Sequence, residues 1–352
     1  MTTAERLRHL AEVAEPVWGR PVTFEAVDRL FQEEMGPQPS LQGQRVAVPV
    51  PAVCHVISGN TPQAGLQSLW RGLVAGVPRQ LVKLPGAGLP ELDRWVADLP
   101  WQLREGITLV HELPDETLAD YPVVAVFGRD QTIEAFRRKL RADQRLLAYG
   151  HRFSVGVIMG AGWNEILAGA VQDILLFDQL GCLSLRTILV SQSGDAFAEA
   201  LAGALQQACA KRATTHNPAV AAEIHEARNR IRLRMALAEP LRIWTEKAGL
   251  PWTVIWNPTP EPVFNPLHRF VEVRPYPGDL AGVLGTERDH LAAVALHPCA
   301  SAHAETLLPC RPSRICRFGE LQLPPIDWPQ ENRAPFDGFV QWVEIETKQP
   351  SG

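Results

Sequence analysis

The chain has 352 residues, of which 46% are hydrophobic, and its formal net charge is −5. This length is sufficient for two joined hydrophobic cores but short for three average domains. The acidic balance, without a long basic run, argues against nucleic acid or an anionic membrane surface as a partner and favours a small molecule or a protein.

The features that direct a chain to a cell compartment point to the cytoplasm. Residues 1–18 carry charges throughout, whereas a signal peptide needs an apolar central region. The longest apolar region, 155–177, is interrupted by Asn164, Glu165 and Asp173, so we expect no membrane insertion. The six cysteines are dispersed, which indicates reduced thiols rather than a disulfide framework.

The first part of the chain predicts polar helices followed by a βαβ unit. Residues 1–43 have helical character and end in a segment rich in Gly and Pro. An apolar run at 52–58 predicts a strand, and the residues Gly59-Asn60-Thr61-Pro62 then supply a turn and a helix start. Apolar residues at helical spacing over 66–77 predict that helix, and 80–84 predicts a second strand.

The alternation of strands and helices continues along the chain. Further strands are predicted at 123–127, 145–149, 155–159, 185–190, 252–256 and 270–273. Further helices are predicted at 130–140, 166–175, 195–212 and 221–238. This order predicts a doubly wound α/β fold with a second α/β domain.

Cys182 is the first candidate for a catalytic residue. It lies in the polar loop 178–184, between a predicted helix and a predicted buried strand. Loops on rigid α/β scaffolds commonly present nucleophiles. A free cysteine is more often a small buried hydrophobic residue, so spacing alone leaves both interpretations open.

Five segments in order resemble motifs of the LuxC-type acyl-CoA and acyl-protein thioester reductases, a family of the aldehyde dehydrogenase superfamily. The segment LFDQLGCLSLR, 176–186, resembles the catalytic-cysteine motif. The other four are HVISGNTP at 55–62, VFGRDQTI at 126–133, AYGHRFSVGVI at 148–158 and RICRFGELQLPPIDW at 314–328. The resemblance covers about residues 45–342 and identifies Cys182 as the nucleophile.

The resemblance implies an aldehyde dehydrogenase-like fold. It places a Rossmann-like nicotinamide cofactor domain at 1–153, an α/β catalytic domain at 154–326 and a C-terminal segment, 327–352, that returns to the cofactor domain. The implied reaction is the NADPH-dependent reduction of an acyl thioester, from acyl-CoA or an acyl-carrying protein, to an aldehyde through thioacyl-Cys182. The alternatives are an aldehyde-oxidising dehydrogenase and a degenerate member that binds acyl carriers without turnover. A homo-oligomer is possible.

Three further residues have catalytic interpretations that depend on the resemblance. Asn60 matches the asparagine that, with the backbone N–H of Cys182, binds the developing oxyanion, although asparagine is also a good helix N-cap. His151 could act as an acid or base, could bind a pyrophosphate, or could have a structural role. Ala148 stands where hydrolytic relatives carry a glutamate base, which predicts slow hydrolysis of the acyl-enzyme.

Four residues are candidates for cofactor binding. Lys83 resembles the lysine that contacts the adenosine ribose. Gly86 stands where NAD-preferring relatives carry a glutamate, so NADPH is admissible and NADH remains possible. Gly128 would let the backbone approach the cofactor, and Arg129 could contact a phosphate or be an ordinary surface charge.

Two segments depart from the expected pattern. Glu261 lies one place out of register with the glutamate that holds the nicotinamide ribose, and Gln330-Glu331-Asn332 replaces an HDG sequence. These departures concern cofactor binding and substrate choice, and they keep the non-catalytic alternative open.

No metal site is predicted. His and Cys residues cluster in the last third of the chain, at His297, Cys299, His303, Cys310 and Cys316. Their spacing contains no compact ligand pair of the kind found in structural zinc sites, so we expect no metal there.

Overall fold

The computed structural model describes residues 1–40, 43–59, 62–160, 162–210, 216–246 and 250–346. The chain divides into unit 1, which comprises Met1–His151 and Leu323–Gly352, and unit 2, which comprises Arg152–Gln322. Each unit contains a parallel sheet with helices, so the predicted α/β fold class is confirmed. The cofactor and catalytic roles of the two units remain predictions.

Unit 1 opens with three helices, α1 (Thr3–Glu12), α2 (Glu15–Trp18) and α3 (Phe24–Met35). Helix α1 begins with a capping box in which Thr2 and Glu5 satisfy each other's backbone N–H groups. The indole N–H of Trp70 donates to the Leu10 carbonyl over 3.0 Å. The predicted polar helices at the start of the chain therefore contribute their apolar side chains to the hydrophobic core of unit 1.

Seven strands and five helices follow before residue 151 in the described part of unit 1. The strands are β1 (Gln38–Pro39), β2 (Gly43–Pro49), β3 (Val53–Val56), β4 (Gln80–Lys83), β5 (Ile107–Val110), β6 (Val123–Phe127) and β7 (Arg145–Tyr149). The helices are α4 (Pro62–Ala75), α5 (Pro90–Asp98), α6 (Trp101–Arg104), α7 (Asp115–Leu118) and α8 (Asp130–Lys139). Five strands form a parallel sheet in the order β5-β4-β3-β6-β7.

The direction in which successive strands are added to the sheet reverses between the parallel neighbours β3 and β6. From β3 it winds outward through β4 and β5, and it then crosses to the other side of β3 to form β6 and β7. In open parallel sheets such a switch point leaves a crevice at the carboxyl ends of the strands, where ligands bind.

Unit 2 is built on a seven-stranded sheet. Its strands are β8 (Phe153–Ile158), β9 (Leu185–Val190), β10 (Arg242–Thr245), β11 (Thr253–Trp256), β12 (Phe270–Pro275), β13 (Leu291–His297) and β14 (Arg314–Cys316). Its helices are α9 (Leu167–Leu175), α10 (Gly194–Cys209), α11 (Pro218–Ala236), α12 (Leu280–Leu284) and α13 (Ser301–Glu305). The order is β10-β11-β12-β9-β8-β13-β14, and every neighbouring pair except β10 and β11 is parallel.

The C-terminal segment belongs to unit 1. Strand β15 (Val340–Glu346) pairs antiparallel with β2, and β2 pairs with β1, which gives a small three-stranded sheet. Across the described ranges, every helix is too short or too polar to span a bilayer.

Candidate active site

Cys182 is exposed in a tight turn immediately before β9. The Ser154 hydroxyl donates to the Cys182 carbonyl over 2.9 Å, and the Gly181 N–H donates to the Ser184 hydroxyl oxygen over 3.1 Å. Ser154 and Leu185 are paired at the start of β8 and β9, so the thiol lies at the amino edge of the sheet of unit 2. The buried alternative for Cys182 is therefore excluded, and the thiol is presented on a hydrogen-bonded loop.

The backbone before Cys182 is unusual. Phe177, Asp178 and Gln179 have φ values of 55°, 53° and 64°, in the left-handed region that residues with a Cβ rarely adopt. Each such residue costs on the order of 1 kcal/mol or more, so the surroundings must hold the segment in place. A second left-handed run, Leu267 to Arg269, has φ values of 66°, 55° and 64°.

The side chain of Gln179 joins these two left-handed runs. It is fully buried, its amide nitrogen donates to the carbonyls of Leu185 at 2.8 Å and Phe270 at 3.0 Å, and its amide oxygen accepts the Phe270 N–H at 2.9 Å. A buried amide with three satisfied hydrogen bonds fixes the backbone around it. Gln179 therefore ties the segment before Cys182 to the start of β12.

Asp178 makes a second connection between the same runs. One carboxylate oxygen lies 2.8 Å from Nε of Arg269 and the other lies 2.9 Å from Nδ1 of His268. His268 and Arg269 were not predicted as site residues, because nothing in the local pattern links positions that lie ninety residues away from Asp178. We call Asp178, Gln179, His268 and Arg269 the clamp.

The C-terminal motif contacts the loop that contains Cys182 from another side. The Gln322 amide donates to the Ser184 hydroxyl oxygen over 2.6 Å, and that oxygen also accepts the Gly181 N–H. Two other residues of the same motif, Gly319 and Leu321, donate their backbone N–H groups to the buried carboxylate of Asp173 in α9, at 2.6 Å and 3.1 Å. The motif at 314–328 thus acts through its contacts with α9 and with the loop before β9.

Asp173→Asn is expected to change how stability depends on pH. Burial raises the pKa of Asp173 to about 7 from an unfolded value of 3.8, so the folded state binds the proton more tightly. The free energy of unfolding of the unmodified protein should then fall as the pH rises from 3.8 to about 7, by on the order of a few kcal/mol at most. Denaturant titrations across the window should show a smaller fall in Asp173→Asn.

The exposed acid Asp195 gives a matched control, because its side chain is 54% exposed. Asp195→Asn should keep the pH dependence of the unmodified protein. Equal slopes in all three proteins would show that Asp173 ionises in the folded state as it does in the unfolded chain.

The candidate cofactor residues lie at the carboxyl edge of the sheet of unit 1. Lys83 ends β4, Gly128 follows β6 directly, and His151 lies two residues after β7. Gly128 is next to the switch point between β3 and β6, and its N–H donates to the Tyr149 carbonyl over 3.1 Å. The parallel sheet thus brings to one edge residues that are far apart in the sequence.

The glycines at this edge leave different amounts of space. A Cβ on Gly86 would meet nothing within 4 Å, so the backbone there is open. A Cβ on Gly128 would lie 3.2 Å from Thr132, which is close. Gly86 therefore leaves room beside the backbone, whereas a side chain at Gly128 would crowd the start of α8.

Arg129 and His151 are both exposed at this edge. Arg129 is the N-cap residue of α8, in an extended conformation and without a capping bond from its side chain. Asp130, the first residue of α8, accepts the backbone N–H of His151 at 3.0 Å. Asp130 was not predicted, and its carboxylate places negative charge at the N-terminus of α8, where a phosphate would otherwise be favoured.

The first motif divides into a structural part and a part outside the described residues. His55 is fully buried, with Nδ1 2.8 Å from the Ser68 hydroxyl and Nε2 3.0 Å from the Gln80 amide oxygen. Burial lowers the pKa of His55 to about 4, so the ring is neutral and structural near neutral pH. Asn60 lies outside the described residues, and its oxyanion role remains a prediction.

The two departures from the family pattern have local structural correlates. Glu261 is exposed, whereas Glu272 is buried and accepts the Asn257 amide at 2.6 Å and the Val263 N–H at 3.0 Å. Burial raises the pKa of Glu272, and its bonds order the loop that contains Glu261. In the other segment, Gln330 accepts a hydrogen bond from Arg71 over 3.1 Å.

Among the described residues, the predicted cluster takes part in no group of three or more potential metal ligands; its members are His297, Cys299, His303, Cys310 and Cys316. His297 and Cys299 line a cavity of about 490 Å³ at the carboxyl ends of β13 and β14, together with Glu165 and Arg317. Cys310 and Cys316 are buried. The group that does offer ligand atoms is a different one, Asp178, His216 and His268.

Comparison with known proteins places the chain in a family. Residues 33–341 match the family described as acyl-CoA reductase (LuxC). The chain belongs to this family. LuxC membership supports an oxidoreductase acting on aldehyde or acyl groups, and it agrees with the motifs found in the sequence. No curated protein matches the chain.

Solved structures with a similar fold include several aldehyde dehydrogenases. An NAD-dependent aldehyde dehydrogenase from Sinorhizobium meliloti has a TM-score of 0.68 and 15% identity, over 100% of this chain and 84% of that one. A succinic semialdehyde dehydrogenase from Streptococcus pyogenes, in complex with NADP+, has a TM-score of 0.65 and 13% identity, over 98% and 90%. These likenesses show that the LuxC chain has the aldehyde dehydrogenase fold.

Proposed function

We propose that this LuxC-family chain reduces an acyl thioester to an aldehyde through a covalent thioacyl-Cys182 intermediate, with NADPH as the hydride donor. The observation that carries the proposal is the exposed thiol of Cys182 on a loop held by Ser154, Ser184 and the clamp. A nucleophile must be accessible and fixed in position, and the four cysteines that are buried do not meet the first requirement.

The proposed reaction has two stages. The Cys182 thiolate attacks the carbonyl carbon of the thioester, the bond to the carrier sulfur breaks, and the carrier leaves as a thiol after taking a proton. A reduced nicotinamide, when bound, supplies the hydride that converts the thioacyl group to a thiohemiacetal. The bond to Cys182 then breaks and releases the aldehyde, which regenerates the thiolate.

The carboxyl edge of the sheet of unit 1 fits a dinucleotide. The switch point, the open backbone at Gly86 and the position of Lys83 at the end of β4 are the features that support this placement. Lys83 and Arg129 would supply positive charge toward the phosphates and ribose, while Gly128 would let the backbone come close. His151 is proposed as an exposed group able to hold or transfer a proton at this edge.

The proposal is tested by incubating the protein with an acyl-CoA in the absence of cofactor and measuring its intact mass. The mass should rise by one acyl group, and peptide mapping should place that group on Cys182. Addition of NADPH should remove the group and release aldehyde. A folded protein that binds acyl-CoA but never gains mass would instead support the non-catalytic alternative.

NADPH is expected to support turnover at least as well as NADH. A carboxylate that holds a ribose 2′-hydroxyl would repel a 2′-phosphate, and Gly86 provides none. Steady-state kinetics with the two cofactors give the comparison as a ratio of kcat/KM values. A strong preference for NADH would show that another acidic residue contacts the ribose.

Gly86→Glu provides the matched variant. Because a Cβ at this position would meet no neighbour, the substitution should leave the fold intact. It should lower kcat/KM for NADPH at least about tenfold relative to NADH, since like charges brought together cost several kcal/mol. An unchanged ratio would show that Gly86 does not face the ribose.

A further inference from the structure

Three potential metal ligands meet beside the nucleophile loop. Asp178, His216 and His268 come from three separate segments of unit 2, and each offers one ligand atom within 4.8 Å of the other two. We propose that these side chains bind one divalent transition-metal ion of the zinc class. The site is assigned from ligand geometry alone and does not depend on the proposed reductase activity.

His216 is oriented for metal binding by its second ring nitrogen. Nε2 lies 3.1 Å from the Leu250 carbonyl oxygen, which can only accept a hydrogen bond, so Nε2 carries the proton. Nδ1 is then left with a free lone pair. A backbone carbonyl that accepts the far N–H is the usual support for a metal-bound histidine, because it fixes both the tautomer and the orientation of the ring.

Asp178 is arranged as a ligand through one oxygen. Arg269 holds Oδ1 at 2.8 Å, which leaves Oδ2 directed toward Nδ1 of His268 at 2.9 Å. Two ligand atoms of a tetrahedral zinc ion, each about 2.0–2.1 Å from the metal, lie about 3.3 Å apart. The ion would therefore take the place of the proton that these two atoms share, which passes to solvent; His268 would then carry its ring N–H on Nε2, and neither side chain would need to move far.

The ligand set and its exposure determine the kind of ion. Two imidazoles and one carboxylate suit zinc or cobalt, whereas magnesium and calcium prefer oxygen ligands throughout. The side chains of His268 and Asp178 are 15% and 30% exposed, so an ion can enter and a water molecule can complete the coordination. The positive charge of Arg269 next to the carboxylate would weaken binding, so an exchangeable ion is expected rather than a permanent one.

The site lies within the clamp that holds the loop of Cys182. Asp178 and His268 both have left-handed backbones, and an ion bound between them would join the two runs more strongly than the present hydrogen bond. His216, which is outside the clamp, would add a third segment to the same connection. Metal binding is therefore expected to raise the thermal stability of the protein.

The test uses the untagged 352-residue chain in the Cys182→Ser background, treated with a chelator and then titrated with Co²⁺. One ion per chain should bind, with visible d–d absorption, and Zn²⁺ should displace it. His216→Ala and His268→Gln should each weaken binding at least about tenfold. His225→Ala, on the exposed face of α11, is the matched control and should bind Co²⁺ as the Cys182→Ser parent does.

The variant proteins must show the circular dichroism spectrum of the parent, and His216→Ala and His268→Gln are independent checks on each other. Absence of a bound ion at millimolar Co²⁺, or equal binding by the control and both ligand variants, would overturn the proposal. Binding seen with the unmodified chain but lost in Cys182→Ser would assign the ion to the thiol and overturn it as well. None of these readouts requires acyl transfer, so failure of the reductase function would be seen separately.

Discussion

Cys182→Ser is expected to abolish both the acyl adduct and aldehyde formation, with a loss of turnover of at least about 10³-fold. A serine hydroxyl has no appreciable anionic population near neutral pH and is a weak nucleophile without a base beside it. The substitution replaces sulfur by oxygen on an exposed turn, and the hydrogen bond between Ser154 and residue 182 uses the backbone carbonyl. The loop should therefore keep its conformation, and the loss should come from chemistry.

Cys299→Ser is the matched control for this experiment. Cys182 and Cys299 are exposed, whereas Cys54 and Cys316 are buried, and burial raises the pKa of each of these two thiols to about 12. An adduct that persists in Cys182→Ser and disappears in Cys299→Ser would move the nucleophile to the far edge of the sheet of unit 2. Turnover retained by Cys182→Ser would remove Cys182 from the mechanism altogether.

The sequence predicted the parallel core because its strands are short apolar runs bounded by glycine or proline. The predicted strand 123–127 is β6, and the predicted helix 130–140 is α8 with one residue fewer. Strand β13, with seven buried residues in LAAVALH, was not predicted. An alanine-rich apolar run has no period of two, so its pattern does not distinguish a buried strand from a buried helix.

The loop position of Cys182 could be predicted from its motif, but the clamp around it could not. Cys182 lies in one continuous segment that matches a family motif. Arg269, by contrast, lies near Asp178 only because the tertiary structure brings the start of β12 next to the segment before β9. Left-handed backbone at residues with a Cβ has no marker in the sequence, because glycine is the usual signal for it. The clamp therefore depends on tertiary contacts that no local pattern contains.

The segment that replaces HDG shows how a departure from a motif can be structural. Arg71 is buried and donates to the Gln330 amide oxygen and to the Trp328 carbonyl, and its guanidinium lies 5.4 Å from the ring of Trp18. These bonds attach the C-terminal segment to α4 and α2 within unit 1. Gln330 thus has a structural role that requires no catalytic explanation.

Ala148 has surroundings that change what a substitution there should do. Its side chain packs against a buried apolar cluster that includes Val126 and Ile133, and its carbonyl accepts Arg333 over 3.4 Å. Ala148 is half-buried, so Ala148→Glu would bring a carboxylate against these apolar residues, which costs free energy. We therefore expect the variant to be destabilised, not to gain the faster acid release that its position in the motif alone predicts.

A base from elsewhere in the fold could replace the glutamate that Ala148 lacks, and the sequence offers Glu165 and His151; of these, Glu165 is a poor candidate. Its carboxylate lies 3.7 Å from Nδ1 of His297, which ends β13, and its side chain is 75% exposed. Cys182 precedes the start of β9. Strand β9 is parallel to its neighbour β8, and β8 is parallel to its other neighbour β13, so all three strands run in the same direction. Glu165 therefore lies at the carboxyl ends of the strands of unit 2, and Cys182 lies at their amino ends.

The acyl-enzyme is expected to be long-lived when no reduced cofactor is present. Water attack on thioacyl-Cys182 without a general base should be slower by about 10²–10⁴-fold than in an enzyme that supplies one. The intermediate would then wait for hydride or for return of a thiol, as a thioester reductase requires. The measurement is a single loading with labelled acyl-CoA, removal of free substrate, and parallel recording of intact mass and released acid over time.

Two additions to the loaded protein distinguish its fates. NADPH should discharge the acyl group as aldehyde, and free CoA should return it as acyl-CoA, while buffer alone should leave the adduct in place. The aldehyde-oxidising alternative predicts the reverse, because an enzyme of that kind must hydrolyse its acyl group to turn over. Rapid steady release of free acid in buffer alone would therefore contradict the proposed reductase activity. It would show that a residue other than Ala148 or Glu165 acts as the base.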